Sequence, residues 1–345
     1  MNRISPWWDQ ARHADRRPFL KARGAVTKAL RAWFDGEGFV EVETGVLQVS
    51  PGNETHLHAP RTTLTTPAGD QVTRYLRTSP EFACKKLLAA GEQKVVEFAR
   101  VFRDRERGVL HLPEFTMLEW YRADSSYDVI MADCIAVIAR AARATGIGTF
   151  SFRGRQADPF AEPELLTVAA AFDRFAGIDL LKTVVGGEGD RAALAAQARV
   201  RIADDDTWSD IFSKVLVEHV EPHLGQGRLT ILSEYPAPEA ALARIDPADS
   251  RVAERFEIYA CGVELANGFG ELTDAAEQRI RFARAMDDKQ NRYGERYPLD
   301  EDFLAAVAQM PEASGVALGF DRLVMLASGA SKIDQVVWTP PAEDA

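Results

Sequence analysis

Apolar side chains recur along this chain with two periods, and the changes between them outline the elements. Phe19, Val26, Leu30, Trp33 and Phe34 fall on one face of a 3.6-residue repeat, which predicts a helix over 19–39 closed by the "GEGF" run. The next stretch, "FVEVETGVL", alternates with a period of two and predicts a strand. "SPGNETHLHAP" gathers Pro, Gly, Asn and small polar residues, which is loop chemistry. Residues 79–90 predict a helix that begins at Ser79 with Pro80 at its first position. "VVEFARVFR" (95–103) and "EFTMLEWYR" (114–122) predict strands flanking a charged loop at 104–113.

Residues 125–145 predict a long helix. The stretch 146–210 changes texture, with Gly, Pro and acidic runs around a helix-like "AALAAQA", and predicts an insertion or lid-like subdomain. Residues 211–224 read as helix, "RLTILSEYP" as a strand, and "ERFEIYACGVELANGFGEL" as a strand pair or a bent strand. "DAAEQRIRFARAMDDKQNRY" predicts a helix opened by a capping box of Asp274 and Glu277. "GVALGFDRLVMLASG" reads as a glycine-rich strand end running into a helix. Neighbouring strands that can pair as hairpins predict an α+β fold, an antiparallel sheet flanked by helices, rather than a regular βαβ series. There is no internal repeat, no G-x-G-x-x-G after a strand and no G-x-x-x-x-G-K-[ST], so a nucleotide must be held by another device.

Composition narrows the class. The 345 residues, 46% of them hydrophobic, suffice for a large core, and residues 1–345 read as a single domain. A net charge of −11 sets the long-range field against nucleic acid. Cys84, Cys134 and Cys261 are scattered without a C-x-x-C, which argues for a reducing compartment and against a disulfide framework or zinc ribbon. The N-terminal stretch has no apolar signal-peptide core, and no apolar run is long enough to cross a bilayer. These features predict a cytoplasmic protein without a membrane partner.

Three stretches carry chemistry. In "RVFRDRERGVLHLPEFTMLEWYR" alternation puts Glu97, Ala99, Val101 and Arg103 on one strand face and Phe115, Met117, Glu119 and Tyr121 on another. If both faces point the same way, Arg103 and Glu119 share a sheet surface. Arg103 is then suited to grip a phosphate or carboxylate, and Glu119 an ammonium with the Tyr121 hydroxyl beside it. Arg105, Glu106, Arg107 and His111 of the loop lie within reach of a polyphosphate, although the tip at 104–110 also reads as a solvated hairpin end. In "FEIYACGVELANGFGEL", Glu257, Glu264, Asn267 and Glu271 are four polar groups among Leu, Phe and Val. Two carboxylates on adjacent β segments suit Mg²⁺ when ATP phosphates complete the shell, and Gly268 and Gly270 suit close approach of backbone to a ligand. In "GVALGFDRLVML", Arg322 opens a helix and is placed for an adenine ring or a terminal phosphate. The histidines lack H-E-x-x-H spacing, since Pro222 interrupts His219 and His223, and no G-x-S-x-G elbow occurs.

Taken in order, these stretches resemble the catalytic domain of class II aminoacyl-tRNA synthetases. "RAWFDGEGFVEVETGVL" is similar to motif 1, "VFRDRERGVLHLPEFTMLEWYR" to motif 2 and "GVALGFDRLVMLA" to motif 3, over roughly residues 20–328. "HLPEFTMLE" and "ELANGFGELTDA" resemble the lysyl-tRNA synthetase subgroup. Lysyl-tRNA synthetases carry an N-terminal OB anticodon-binding domain ahead of motif 1, whereas here motif 1 starts near residue 25. The chain therefore resembles the stand-alone paralogues, the elongation factor P–(R)-β-lysine ligase family. Ala317, where lysyl-tRNA synthetases usually have glycine, fits that family's preference for β-lysine over α-lysine.

The resemblance implies an ATP-dependent ligase that activates (R)-β-lysine as an adenylate and passes it to a lysine of elongation factor P. It implies ATP and Mg²⁺ as cofactors and a homodimer built on motif 1. It makes Arg103 and Arg322 the catalytic pair and gives Arg103, Glu106, His111, Phe115, Glu257 and Arg322 to ATP. Ser79, Glu81, Glu119, Tyr121, Glu264, Asn267, Glu271 and Ala317 line the substrate pocket, with Glu257 and Glu264 as metal ligands. The chain departs from the family at Gly45 in place of proline, at Arg105 in place of glutamate, and at Leu112 in place of asparagine. Two alternatives stand beside this reading: a paralogue activating α-lysine for a tRNA or another acceptor, and a catalytically silent regulatory paralogue. The missing OB domain and Ala317 weigh against tRNA, and the intact arginine and acidic set against silence.

Overall fold

The computed structural model describes residues 6–341; residues 1–5 and 342–345, at the two ends of the stretch read as one domain, lie outside the described residues. The chain opens with α1 (Gln10–Gly36), then β1 (Val40–Glu41), β2 (Leu47–Gln48), the hairpin β3 (Arg61–Thr65) and β4 (Gln71–Leu76), and α2 (Glu81–Ala89). Next come β5 (Lys94–Phe102), β6 (Glu114–Ala123), α3 (Tyr127–Thr145), β7 (Phe150–Phe152), β8 (Arg155–Asp158), β9 (Glu164–Thr167) and α4 (Val168–Ala176). A short ribbon, β10 (Val184–Val185) and β11 (Glu188–Gly189), precedes α5 (Arg191–Ala195) and α6 (Trp208–Val215). The chain closes with β12 (Gly227–Arg228), β13 (Thr230–Pro236), β14 (Val252–Ala260), β15 (Val263–Gly270), α7 (Ala275–Tyr293), α8 (Glu301–Val307), β16 (Ala313–Gly319) and α9 (Phe320–Ser328).

Eight strands form the main sheet in the order β1-β5-β6-β16-β15-β14-β13-β9. The contacts from β5 to β13 are antiparallel, as expected, but the two edge pairs, β1 with β5 and β9 with β13, are parallel, so the sheet is mixed. One face is apolar and covered by α1, α3 and α9. Val26, Leu30 and Phe34 of α1, Val137 and Ile138 of α3, and Leu323 and Leu326 of α9 pack there on Leu118, Trp120, Val316 and Ile258. Trp120 is wholly buried with its ring edge-on to Phe34, and Trp120→Ala would cost roughly 3–5 kcal/mol. The other face carries the polar residues and the cavity.

Several elements differ from the sequence reading for identifiable reasons. α1 begins at Gln10, capped by the Asp9 carboxylate, well before residue 19. Its first turns carry no apolar repeat, since Pro18 and buried Arg16 stand there; Arg16 donates to the Val337 carbonyl and, further along, Arg23 pairs with buried Asp321 at the start of α9. "FVEVETGVL" is not one strand but two residues of β1 and two residues of β2, which belong to different sheets. Between them the Thr44 hydroxyl bonds Glu97 at 2.7 Å as the chain crosses from one sheet to the other. Arg103 lies just beyond the end of β5 rather than inside it. The capping box at α7 is half formed: Asp274 caps the helix, while Glu277 turns to Arg281. The stretch 146–210 supplies edge strand β9, and α4 and α6 pack on Leu232, Tyr235 and Tyr259 in a second apolar core.

Candidate active site

The site begins with strand register. Glu97 pairs with Glu119 across β5 and β6, Glu119 with Ala317 on β16, Ala317 with Asn267 on β15, and Asn267 with Glu257 on β14. One row across five strands thus reads Glu, Glu, Ala, Asn, Glu on the open face, with its small residue in the middle. Arg103 and Glu119 do share a surface, because Val101 sits opposite Phe115 and Ala99 opposite Met117. Over this row opens a cavity of about 1060 Å³, part of it open to solvent.

Of the sequence-predicted residues, Arg103, Glu106, His111, Phe115, Glu264 and Arg322 line one end of this cavity. Ser79, Glu81, Glu119, Asn267 and Ala317 line it at the other. Tyr121, Glu271 and Glu257 are not on its wall. Tyr121 and Glu271 stand directly behind it, and Glu257 is engaged by Arg255 at 2.7 Å and by the Tyr259 hydroxyl at 2.6 Å. Gly268 and Gly270 serve packing rather than ligand approach: a methyl group at the first would overlap the Phe256 ring, and at the second the Glu254 carboxylate. Gly315, opposite Tyr121, leaves room for Tyr121 and Glu271 in the same way.

At the arginine end Arg103 is loosely held and Arg322 is well partnered. Arg103 is about a quarter exposed, donates one long bond of 3.4 Å to the Thr78 carbonyl, sits 3.9 Å from Glu106 and rests over the Phe115 ring. Arg322 donates to the Glu264 carbonyl at 2.9 Å and to His111 Nε2 at 2.7 Å. That nitrogen must be unprotonated to accept, and burial together with the Arg322 charge holds His111 below the usual histidine range. Nearby, burial and the charges of Glu257 and Glu264 push the Glu221 carboxyl up to about 7.

At the acidic end Glu119, Lys85 and Glu271 are buried from solvent. Glu119, wholly buried, accepts from the Ser79 hydroxyl at 2.7 Å and the Tyr121 hydroxyl at 2.6 Å. Burial, helped by the charge of Glu81, pushes its carboxyl up to about 8 despite those two bonds. Beside it Lys85 lies 2.6 Å from Glu81 and 2.6 Å from Glu271. Burial works against the Lys85 charge, but Glu271 and Glu81 hold the ammonium above the ordinary lysine range. Burial pushes Glu271 up to about 7 although Lys85 opposes it. Lys85 had escaped notice because Glu81 and Lys85, four residues apart, read as an ordinary exposed helix pair.

Loop residues Glu54 and Leu57 also line the cavity, and sequence reasoning missed them for want of any pattern in a loop. Contacts from α7 and the segment after it pin this loop from behind. Buried Lys289 donates to the carbonyls of Thr55 and Leu57, and the Tyr297 hydroxyl accepts from the Ala59 amide.

The arrangement can bind a polyanion at one end and an ammonium at the other, with a small side chain between. The sequence model described as tRNA synthetases class II (D, K and N) matches residues 4–342. The chain belongs to this family. Within it, the chain is similar to curated proteins named elongation factor P–(R)-β-lysine ligase. It is 40% identical to that of Klebsiella pneumoniae subsp. pneumoniae over 93% of this chain and 94% of the relative. It is 37% identical to that of Proteus mirabilis over 99% of both chains, and 38% identical to that of Haemophilus influenzae strain PittGG over 94% and 95%. The large mixed sheet flanked by helices is the α+β class II synthetase domain that the motif order implied. Among the described residues no helix is long and apolar enough to cross a membrane.

Proposed function

We propose that this class II synthetase-family protein is an ATP-dependent ligase that activates (R)-β-lysine as an adenylate and joins it to a lysine side chain of elongation factor P. The observation that carries the reading is likeness over nearly the whole chain to proteins of that name. A cavity with arginines at one end and acids at the other supports it.

In the first step a carboxylate oxygen of the substrate attacks the α-phosphorus of ATP in line, a P–O bond forms, and pyrophosphate leaves with the bond it breaks. No strong base is needed, so positioning and charge stabilisation dominate. Arg103, loosely tethered and about a quarter exposed, is the group free to follow the α-phosphate and substrate carboxylate as charge builds. Arg322 and neutral His111 hold the outer phosphates, Glu106 lies at the nucleotide, and Phe115 offers its ring to adenine. Glu81, Glu119 and Asn267 take the amino groups of the substrate, with Ser79 and Tyr121 holding the Glu119 carboxyl and Lys85 linking Glu81 to Glu271 behind the wall. In the second step the acceptor lysine amine attacks the adenylate carbonyl, an amide forms, AMP leaves and the amine loses a proton.

Glu264 on the cavity wall and Glu257 behind it would hold Mg²⁺ together with phosphate oxygens. Glu221, whose carboxyl is pushed up first by burial and then by the charges of Glu257 and Glu264, stands beside those two acids. When bound, the ion supplies charge neutralisation of the phosphates. Elongation factor P rather than tRNA as acceptor, a homodimer and a cytoplasmic location complete the reading, together with a catalytic domain spanning the whole chain that folds the stretch 146–210 against its sheet edge.

ATP–pyrophosphate exchange with (R)-β-lysine and α-lysine in parallel tests it. Strong exchange with β-lysine, followed by transfer of label from charged enzyme to elongation factor P and not to tRNA, is the expected result. Exchange favouring α-lysine, or none with either, would sink it.

A further inference from the structure

Lys85 is 1% exposed and extends from the inner face of α2 to the carboxyls at the acidic end of the cavity, behind its wall. Its Nζ lies 2.6 Å from Glu81, on the cavity wall, and 2.6 Å from Glu271, just past the end of β15. An exposed pair of this spacing is worth little and tolerates loss of either partner. A dry one does not, because removing one charge strands the other. Lys85 is therefore a built-in cation tying a wall residue to the wall behind it.

Charge counting gives this a functional meaning. Glu81, Glu119 and Glu271 gather three carboxyls at one end of the cavity, against which Lys85 sets one positive charge. Lys85 engages two of these carboxyls, Glu81 and Glu271, while Glu119 is held by the Ser79 and Tyr121 hydroxyls. We propose that Lys85 is a positioning residue for the amine substrate: paired at once with Glu81 and Glu271, it fixes the wall carboxylate Glu81 in the orientation that meets an ammonium group of the substrate. This rests on the reading that the cavity takes a lysine-type substrate.

The surroundings agree. The groups facing the cluster are Glu119 and Tyr121 on β6, Glu97 on β5, Cys84 on α2, and Arg77 and Arg244 from flanking segments. Arg77 is itself matched to Glu97 at 2.7 Å, and Arg244 to Glu254 at 2.7 Å, so neither replaces Lys85. Burial already pushes Glu271 up to about 7 with Lys85 beside it. Without that cation its carboxyl rises further and stands neutral near neutral pH.

The test compares the full-length protein with Lys85→Met and Lys85→Gln in ATP–pyrophosphate exchange from about pH 6.5 to 9. KM for (R)-β-lysine is measured apart from KM for ATP. At neutral pH the variants should raise the amine KM on the order of tenfold to a hundredfold while the ATP KM moves less than about twofold. As pH rises towards the top of this range, Glu271 ionises progressively without help, and the amine KM of the variants should fall towards wild type. If the methionine variant does not fold, the glutamine variant, which keeps a donor to one carboxylate, carries the same comparison. An unchanged amine KM, or an equal rise in both KM values with no recovery at high pH, would overturn the role while leaving the ligase reading intact. A wild-type protein without amino-acid-dependent exchange would overturn both.

Discussion

The two ends of the cavity are built on opposite principles. The acidic end is dry: Glu119, Glu271 and Lys85 are each 1% exposed or less, and each is held by short bonds. The arginine end is wetter: Arg103, about a quarter exposed, has one long hydrogen bond and a partner at 3.9 Å, and Arg322 spreads its donors over the Leu110 and Glu264 carbonyls, the Glu264 carboxylate and His111. The contrast follows from what each end must do. A pocket choosing one small cation gains by fixing its charges in a medium of low dielectric, where a wrong or missing ammonium leaves a stranded carboxylate. An end that binds ATP and releases pyrophosphate and AMP meets a different charge at each step. Side chains that can shift, in contact with water, suit that better than a rigid cage.

Substitutions should separate the two ends. The largest effect is expected for Arg103→Ala: exchange activity should fall about a thousandfold, from lost stabilisation of charge in the transition state. Because Arg103 is loosely tethered, its melting temperature should stay close to wild type, and a thermal scan beside the exchange assay checks both halves.

Glu119→Gln comes next and acts at the dry end. It should raise the amine KM by about a hundredfold and leave the ATP KM nearly unchanged. In wild type an ammonium needs ionised Glu119, whose carboxyl is pushed up to about 8, so amine affinity should weaken as pH falls below that value. The variant should lose that slope. Stability carries the opposite sign. Between the ordinary value of 4.5 and about 8 the folded protein binds a proton that the unfolded chain has released, so this group makes wild type less stable as pH rises through that window. Denaturant titrations at pH 5 and pH 8 should show the variant losing less stability over that interval, by on the order of a few kcal/mol.

Ala317→Gly should have a smaller effect. Ala317 lies between Glu119 and Asn267 in the sheet row, so removing its methyl deepens the floor where the substrate backbone would rest. The ratio of kcat/KM for β-lysine over α-lysine should fall about tenfold, measured by exchange with the two isomers. The smallest effect separates the ends without mutation. Raising ionic strength from about 0.05 to 0.5 M should raise the ATP KM several-fold and change the amine KM by less than about twofold, because screening reaches exposed charges and not buried ones. Equal salt dependence would show that the dry end is wetter than its burial indicates.

Much of this was legible in the order of the residues. Alternation along 95–101 and 115–121 placed the two strand faces correctly, since a β-strand's side-chain period is a local property of the backbone. The helix from Ala275 and the strand-to-helix turn before Phe320 were legible for the same reason, through caps and apolar repeats. The site residues on strands could be named because an acid or arginine inside an apolar alternation stands out. Those that escaped do not stand out: Lys85 looks like half of a surface pair, Glu54 like any loop acid, and Arg16 and Arg23 like the polar face of α1.

Sequence by itself thus determined the strand faces, the chemical types gathered on them and, through the order of the motifs, the family. Tertiary structure decided which charges meet. That Lys85 reaches Glu271, 186 positions further along, depends on where α2 packs, over β5 and β6 and against α8. That Glu257 spends its carboxylate on Arg255 and Tyr259 depends on register and burial in the second apolar core. The periodicity of a chain reports which way a side chain points, because that is set by local dihedral angles. Its charge state and partner are set by what the rest of the fold removes from water around it.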